Sequence, residues 1–199
     1  MDWRWRVIDL LARRVGGGAQ WVGWGGGWAG VLFAFADFRC NRRRAGRQSR
    51  VMSFAIGVDH PKKAVNVGTL WRSAYALGAA MIFTVGRRYE GQPGDTVKAY
   101  RHIPLLNFST WADLRAHLPF GWVPVGVEIG REATPLPEYK HPDLAVYILG
   151  AEDYGLTDEA VTLCRDIVVV PSRYCLNVAA TGSIVMYDRA AKRTMRRQS

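Results

Sequence analysis

The sequence predicts an α/β domain, a mostly parallel sheet with helices on both faces, preceded by a poorly structured N-terminal extension. Two observations carry that expectation. From residue 53 onward, short apolar runs of buried-strand length alternate with helical patterns, the order that builds a parallel sheet covered on both sides. Upstream the texture differs, with glycine runs and scattered tryptophans that follow neither a strand nor a helical period.

Phe54 to Val58 reads as the first strand, followed by Met81 to Val85, Val123 to Val127, Leu144 to Leu149 and Ile167 to Val170. These runs are apolar without alternation, as strands buried on both faces are. Four helices are expected between and after them. The first runs from Asn66 to Leu77, with Asn66 as N-cap and Gly78 just past its end, and the second from Thr110 to Leu118. Thr157 caps the third, which extends to Cys164 with Asp158 and Glu159 in its first turn, and the last runs from Asn177 to about Arg193. Gly86 to Thr96, with Arg87, Arg88, Gly91, Pro93 and Gly94, reads as one exposed loop.

A chain of 199 residues, 49% of them apolar, suffices for one core plus an extension. Its net charge of +10 suggests a nucleic-acid partner, but the charge is uneven. Residues 1 to 50 hold ten arginines and three acids (Asp2, Asp9, Asp37), or +7, so the remainder carries only +3. Cys40, Cys164 and Cys175 are odd in number and contain no C-x-x-C spacing, which argues against a disulfide framework and a zinc site and for a reducing, cytoplasmic setting.

Residues 1–51 contain Trp3, Trp5, Trp21, Trp24 and Trp28 beside Gly16 to Gly18 and Gly25 to Gly27. No charge interrupts Gly16 to Ala36, but glycine dilutes the apolar run too heavily for a stable membrane span. The segment reads as a disordered extension or an overlong translation start, with a membrane or RNA-contacting arm as the alternative.

Three segments carry candidate chemistry. In Asn66-Val67-Gly68-Thr69-Leu70-Trp71-Arg72, the residues Val67, Leu70, Ala74 and Leu77 share one helical face, while Arg72 points elsewhere within two turns of a helix N-terminus. A guanidinium there can hold a phosphate by two parallel bonds, or can simply be a solvated surface group. Leu149-Gly150-Ala151-Glu152-Asp153-Tyr154-Gly155-Leu156 follows the most apolar strand. Its first glycine would let a ligand approach the backbone, and the loop is otherwise an ordinary strand-to-helix turn with solvated acids. Val170-Pro171-Ser172-Arg173-Tyr174-Cys175-Leu176-Asn177-Val178 enters the last helix, where Asn177 can act as a cap and Ala179, Ala180, Gly182 and Ser183 permit close packing. No histidine is placed beside Cys175, which disfavours nucleophilic catalysis.

In order and spacing the three segments closely resemble the motifs of the SpoU (TrmH) branch of the SPOUT methyltransferases: N-x-G-x-x-x-R, then L-G-x-E-x-x-G-L, then a proline-containing loop ending in S-L-N-V. The resemblance covers about Ser53 to the C-terminus, so residues 52–199 are identified as a SPOUT-type domain. It implies an α/β fold with a C-terminal trefoil knot, although knots are nearly absent from proteins in general. It further implies S-adenosylmethionine held in the knot against backbone near Gly126, Gly150, Val170, Cys175 and Leu176. The family usually has serine where this chain has Cys175, and a thiol is the weaker hydrogen-bonding group.

By the same resemblance Arg72 sits at a reacting ribose 2′-hydroxyl, with Asn66, Glu152 and Asn177 shaping the site. A guanidinium is a poor general base at neutral pH, so orienting a phosphate and stabilising the developing alkoxide is its easier role. RNA is the implied substrate, transfer RNA favoured over ribosomal RNA, and a homodimer the implied assembly, with Trp71, Tyr75 and the small residues of the last helix suited to its interface. Lys62, Lys63, Arg87, Arg88, Arg101, Arg173 and the tail from Lys192 to Arg197 are candidates to grip RNA. The alternatives are a relative methylating a base nitrogen, and a catalytically inactive RNA-binding paralogue of the same fold. A dinucleotide-dependent oxidoreductase is excluded because no G-x-G-x-x-G follows the first strand.

Overall fold

The computed structural model describes residues 53–87, 89, 98–130 and 132–198. The chain lays down β1 (Ser53–Asp59), α1 (Ala64–Ala76), β2 (Met81–Val85), β3 (Leu105–Phe108), α2 (Trp111–His117), β4 (Val123–Val127) and β5 (Thr134–Pro135). It continues with β6 (Leu144–Leu149), α3 (Asp158–Leu163), β7 (Asp166–Val169) and α4 (Val178–Gln198). The expectations for residues 1–51 and for most of the loop from Gly86 to Thr96 lie outside the described residues.

One sheet runs in the order β3-β2-β1-β6-β4-β7-β5, every neighbouring pair parallel. Three predicted strands have the expected bounds, β1 is longer by one residue at each end, and β7 begins and ends one residue earlier. Sequence reading missed β3 and β5, the two edges. In β3, partly buried leucines and a phenylalanine surround the exposed Asn107, so the apolar run is broken, and β5 is only two residues long. Helices cover both faces, as expected. Val67, Leu70 and Ala74 of α1 join Val185 and Met186 of α4 over Ile56, Tyr147 and Leu149, while Trp111, Leu114 and Ala160 of α2 and α3 cover Phe83, Val146 and Ile148.

The start of α1 differs from expectation. Lys63 is its N-cap, with extended backbone and no side-chain bond, so Asn66 is the third helical residue rather than the cap. The propensity of Asn for caps is overridden because its amide is used across the fold, as described below. Gly78, at φ +81, ends the helix as expected. Thr110 and Thr157 cap α2 and α3 by accepting from the amides of Asp113 (3.1 Å) and Ala160 (3.3 Å). Trp71 and Tyr75, expected at a subunit interface, each have a partner within the chain. The Trp71 indole donates to the Ile103 carbonyl at 3.1 Å, and Tyr75 stacks on His102 with centroids 4.3 Å apart.

Gly182 lets α4 lie directly on α1, since a Cβ there would stand 2.4 Å from Leu70 Cδ1 and 2.9 Å from Leu149 Cδ1. Beside it the Ser183 and Ser73 hydroxyls bond at 2.9 Å.

The connectivity at the right of the sheet is crossed. β7 pairs with both β4 and β5, two strands the chain has already joined through residues 128–133. That linker therefore passes the carboxyl end of β7, from which the chain goes on to α4. Ordinary α/β connections do not cross in this way. It is the crossing that the expected trefoil knot requires.

The far end of α4 is pinned to the amino ends of the strands by a buried polar cluster. Asp188 can only accept, so His141 Nε2 carries the proton and donates to it at 2.8 Å, leaving Nδ1 to accept from the Tyr147 hydroxyl at 2.5 Å. Arg189, only 4% exposed, donates to the carbonyls of Pro142, Asp143 and Ser53 and to the Tyr147 oxygen. Burial lowers His141 from the ordinary 6.5 to about 4, against an opposing hydrogen bond from Asp188, with Arg189 and Lys192 adding to the lowering. Between those values the unfolded chain binds a proton that the folded chain does not. Stability is thus full above pH 6.5 and declines as pH falls toward 4, by on the order of 3 kcal/mol. His141→Gln should flatten this decline. Urea midpoints at neutral pH and at about pH 4.5 measure it; an equally steep loss in the variant would remove His141 as the cause.

Candidate active site

Because all strands are parallel, the loops after β1, β4, β6 and β7 open at one edge of the sheet, the edge where open α/β folds collect ligands. Asn177 fixes the arrangement there. It is the residue before α4, and its Oδ1 accepts from the amides of Ala179 (2.9 Å) and Ala180 (3.4 Å). Its Nδ2 is thereby turned outward and donates to Asn66 Oδ1 at 3.1 Å. That in turn aims Asn66 Nδ2 at Glu152 Oε1, to which it donates, and Lys63 Nζ lies 3.3 Å from the other carboxylate oxygen. Each amide orientation follows from the bond before it. Asn66 is 8% exposed, so the relay is shielded at its centre.

The structure therefore brings Asn66, Glu152 and Asn177 together from the three predicted segments. Arg72 lies on α1 six residues beyond Asn66, exposed, and among the described residues it makes no hydrogen bond or ion pair. Lys62 and Lys63, expected to face RNA, are exposed and pair with Asp153 and Glu152. Arg87, Arg101 and Arg173 are exposed, and Arg88 lies outside the described residues.

Asn66→Ala is expected to leave Glu152 Oε1 and Asn177 Nδ2 without partners, costing about 1–3 kcal/mol. Glu152→Ala should cost a similar amount, and the double variant less than the two together, because both break one bond. Urea unfolding of the four proteins tests this; strict additivity would dissolve the relay.

The two glycines expected beside the cofactor are each required by packing. A Cβ on Gly150 would stand 2.4 Å from the Gly155 carbonyl carbon and 2.6 Å from the Leu156 nitrogen, so this residue lets the loop fold on itself. Ala151 and Gly155 exchange both backbone bonds, at 2.8 and 3.1 Å, inside that fold. Gly126 is enclosed rather than open: it pairs with Ile148 and Ile167, and a Cβ would stand 2.6 Å from Ile167 Cδ1 and 3.1 Å from Cys164 Sγ. Side-chain packing explains why no side chain stands there. The buried Cys164 thiol is pushed up to about 12 by desolvation and is unreactive. In the last loop Val170 is half-buried, while Cys175 and Leu176 are exposed.

Two residues were missed from sequence. Glu128, directly after β4, accepts from the amides of Leu156 (2.5 Å) and Ile129 (2.8 Å). Asp59, the buried last residue of β1, accepts from the Thr157 amide at 3.0 Å and pairs with His60 at 2.6 Å. Together they hold the turn at residues 155–157 through the amides of Leu156 and Thr157. The signal was present: in each case an acid directly follows an apolar strand at its carboxyl end.

Fold and site define a C-terminally crossed α/β domain with a polar relay joining its three loops at the carboxyl edge. The chain belongs to the SpoU rRNA methylase family, whose match spans residues 53–187. It is 24% identical over 160 residues, 73% of its length, to the 23S rRNA (guanosine-2′-O-)-methyltransferase RlmB of Acinetobacter baylyi, and spans 62% of that protein. The SpoU methyltransferase AviRb of Streptomyces viridochromogenes, solved in complex with the cofactor AdoMet, superposes with a TM-score of 0.61 at 22% identity, covering 76% of this chain and 63% of that one. The TrmH/SpoU tRNA modifying enzyme of A. aeolicus superposes at 0.66 with 18% identity, covering 74% and 78%.

Proposed function

We propose that this chain is an S-adenosylmethionine-dependent RNA methyltransferase that methylates a ribose 2′-hydroxyl. The observation that carries the reading is the relay from Asn177 through Asn66 to Glu152, which gathers the three motif segments on the helix that bears an uncommitted Arg72. When bound, S-adenosylmethionine supplies a sulfonium methyl group to an attacking oxygen. The residues at the edge fit such a group. Ile129 and Leu176 offer exposed apolar surface for a purine, and residues 171–177 leave their backbone accessible.

In this reading Arg72 stays protonated, holds the phosphate beside the target nucleotide and stabilises the alkoxide as its proton leaves to water or another base. Asn66, Glu152 and Asn177 hold α1 against the two loops, so that the hydroxyl and the methyl group are presented in line. Transfer RNA is favoured as substrate, supported by the larger share of the A. aeolicus tRNA-modifying enzyme than of the ribosomal-RNA relative that the chain spans. A homodimer is supported by exposed Val65, Ile184 and Tyr187 on α1 and α4. No helix among the described residues is long and apolar enough to cross a membrane, and a cytoplasmic setting is part of the proposal.

Calorimetry with S-adenosylmethionine, followed by mapping of 2′-O-methylated nucleotides in RNA from cells with and without the gene, tests the reading. Binding together with sites lost on deletion supports it. An inactive RNA-binding paralogue would leave every methylated site in place.

A further inference from the structure

At the edge of the sheet opposite the relay, a cleft of about 300 Å³ opens between the end of α1, the start of β1 and the last turns of α4. Phe54, Leu77 and Gly78 form its apolar side and Arg189, Arg193 and Thr194 its polar side. Arg193 Nε is the one buried side-chain nitrogen or oxygen among the described residues without a hydrogen-bond partner. A buried N–H without an acceptor is unfavourable, and native proteins rarely leave one so. An oxygen entering the cleft would supply the missing acceptor.

The charge around the cleft says which kind of oxygen. Arg189 donates to three carbonyls and a tyrosine, all neutral, so its buried charge meets no carboxylate among these partners. Asp188, the acid beside it, is engaged by His141 and Lys192. Lys192 and Arg196 line an adjoining recess together with Arg189 and Arg193. The carboxyl end of α1 opposes an anion weakly, through partial charges only, against full positive charges on α4. A surface that gathers Arg189, Lys192, Arg193 and Arg196 repels another basic patch like itself, whereas a polyanion is drawn to it.

We infer that this cleft binds a phosphodiester group of the RNA at a distance from the reacting ribose, with the Arg193 guanidinium as its main ligand. The inference rests on the RNA reading above. Planar fork geometry suits arginine to two non-bridging phosphate oxygens, and the apolar wall of Phe54 and Leu77 lowers the local dielectric around that contact. The site would grip the substrate without taking part in methyl transfer.

The test is fluorescence anisotropy with a labelled total transfer RNA pool on the full chain, over a range of salt concentrations, beside methyl-transfer kinetics with S-adenosylmethionine. Arg193→Gln should raise the RNA Kd about tenfold and reduce the slope of log K against log salt by about 1. It should raise KM for RNA and leave kcat and cofactor affinity unchanged. Should that variant fold poorly, Thr194→Glu places a negative charge at the exposed rim and should weaken RNA binding likewise. If the unaltered chain binds RNA and Arg193→Gln binds it equally well with the same salt slope, the inference is overturned and the RNA reading stands. If Arg193→Gln instead changes only the dimer dissociation measured by sedimentation, the cleft belongs to a partner copy and the inference is likewise overturned. No RNA binding by the unaltered chain overturns both.

Discussion

Arg72→Ala is expected to lower kcat for RNA methylation by about 10²- to 10³-fold, the usual effect of removing one donor that meets developing charge. Fold and cofactor affinity should be nearly untouched. Arg72 is exposed and makes no bond among the described residues, so truncation leaves no buried group without a partner. The residues that hold the loops are elsewhere: Asn66 and Asn177 face each other, and Glu128 and Asp59 hold the turn at Gly155 to Thr157. Single-turnover methyl transfer together with calorimetry separates the two effects. Arg72→Lys should recover part of the rate, since it restores charge without the planar fork. Equal rates for Arg72→Ala and the unaltered chain would remove the arginine from the chemistry.

Gly150→Ala should injure both stability and activity. The new methyl would sit 2.4 to 2.7 Å from backbone atoms of Gly155 and Leu156, and backbone cannot rotate away as a side-chain tip can. The loop must open, stretching the bonds from Leu156 to Glu128 and from Thr157 to Asp59 and carrying Glu152 away from Asn66. Overpacking of this kind costs about 3 kcal/mol, and a displacement of the order of 1 Å at the relay costs about 10²-fold in rate. Denaturant unfolding and methyl-transfer rates read the two effects. An unchanged midpoint with full activity would mean that the loop is softer than its bonds imply.

The parallel sheet was legible because its central strands are buried on both faces and so are written as uninterrupted apolar runs. Its edges were not, because β3 interrupts its run with an exposed asparagine and β5 is too short to have a pattern. Local rules placed Thr157 and Asn177 correctly as caps but misplaced Asn66, whose partners lie 86 and 111 residues away in sequence. No local propensity encodes such distances. The same holds for Glu128 and Asp59, whose acids look solvated until the loop they bind is in place. The motif resemblance supplied what spacing alone could not, the convergence of three loops, and packing accounts for the absence of side chains at Gly126 and Gly150. The crossing of the chain is beyond reach of any window of residues, since it is a property of the order in which strands occupy the sheet.

That order governs how the protein can be made. β7 must slot between two strands that precede it in the chain and are already connected, and α4 must dock on α1 before Asn177 can reach Asn66. Contacts of such long sequence separation close slowly. The relay therefore waits on the rest of the sheet, and a chain that has folded everything except its last helix has a sheet but no relay.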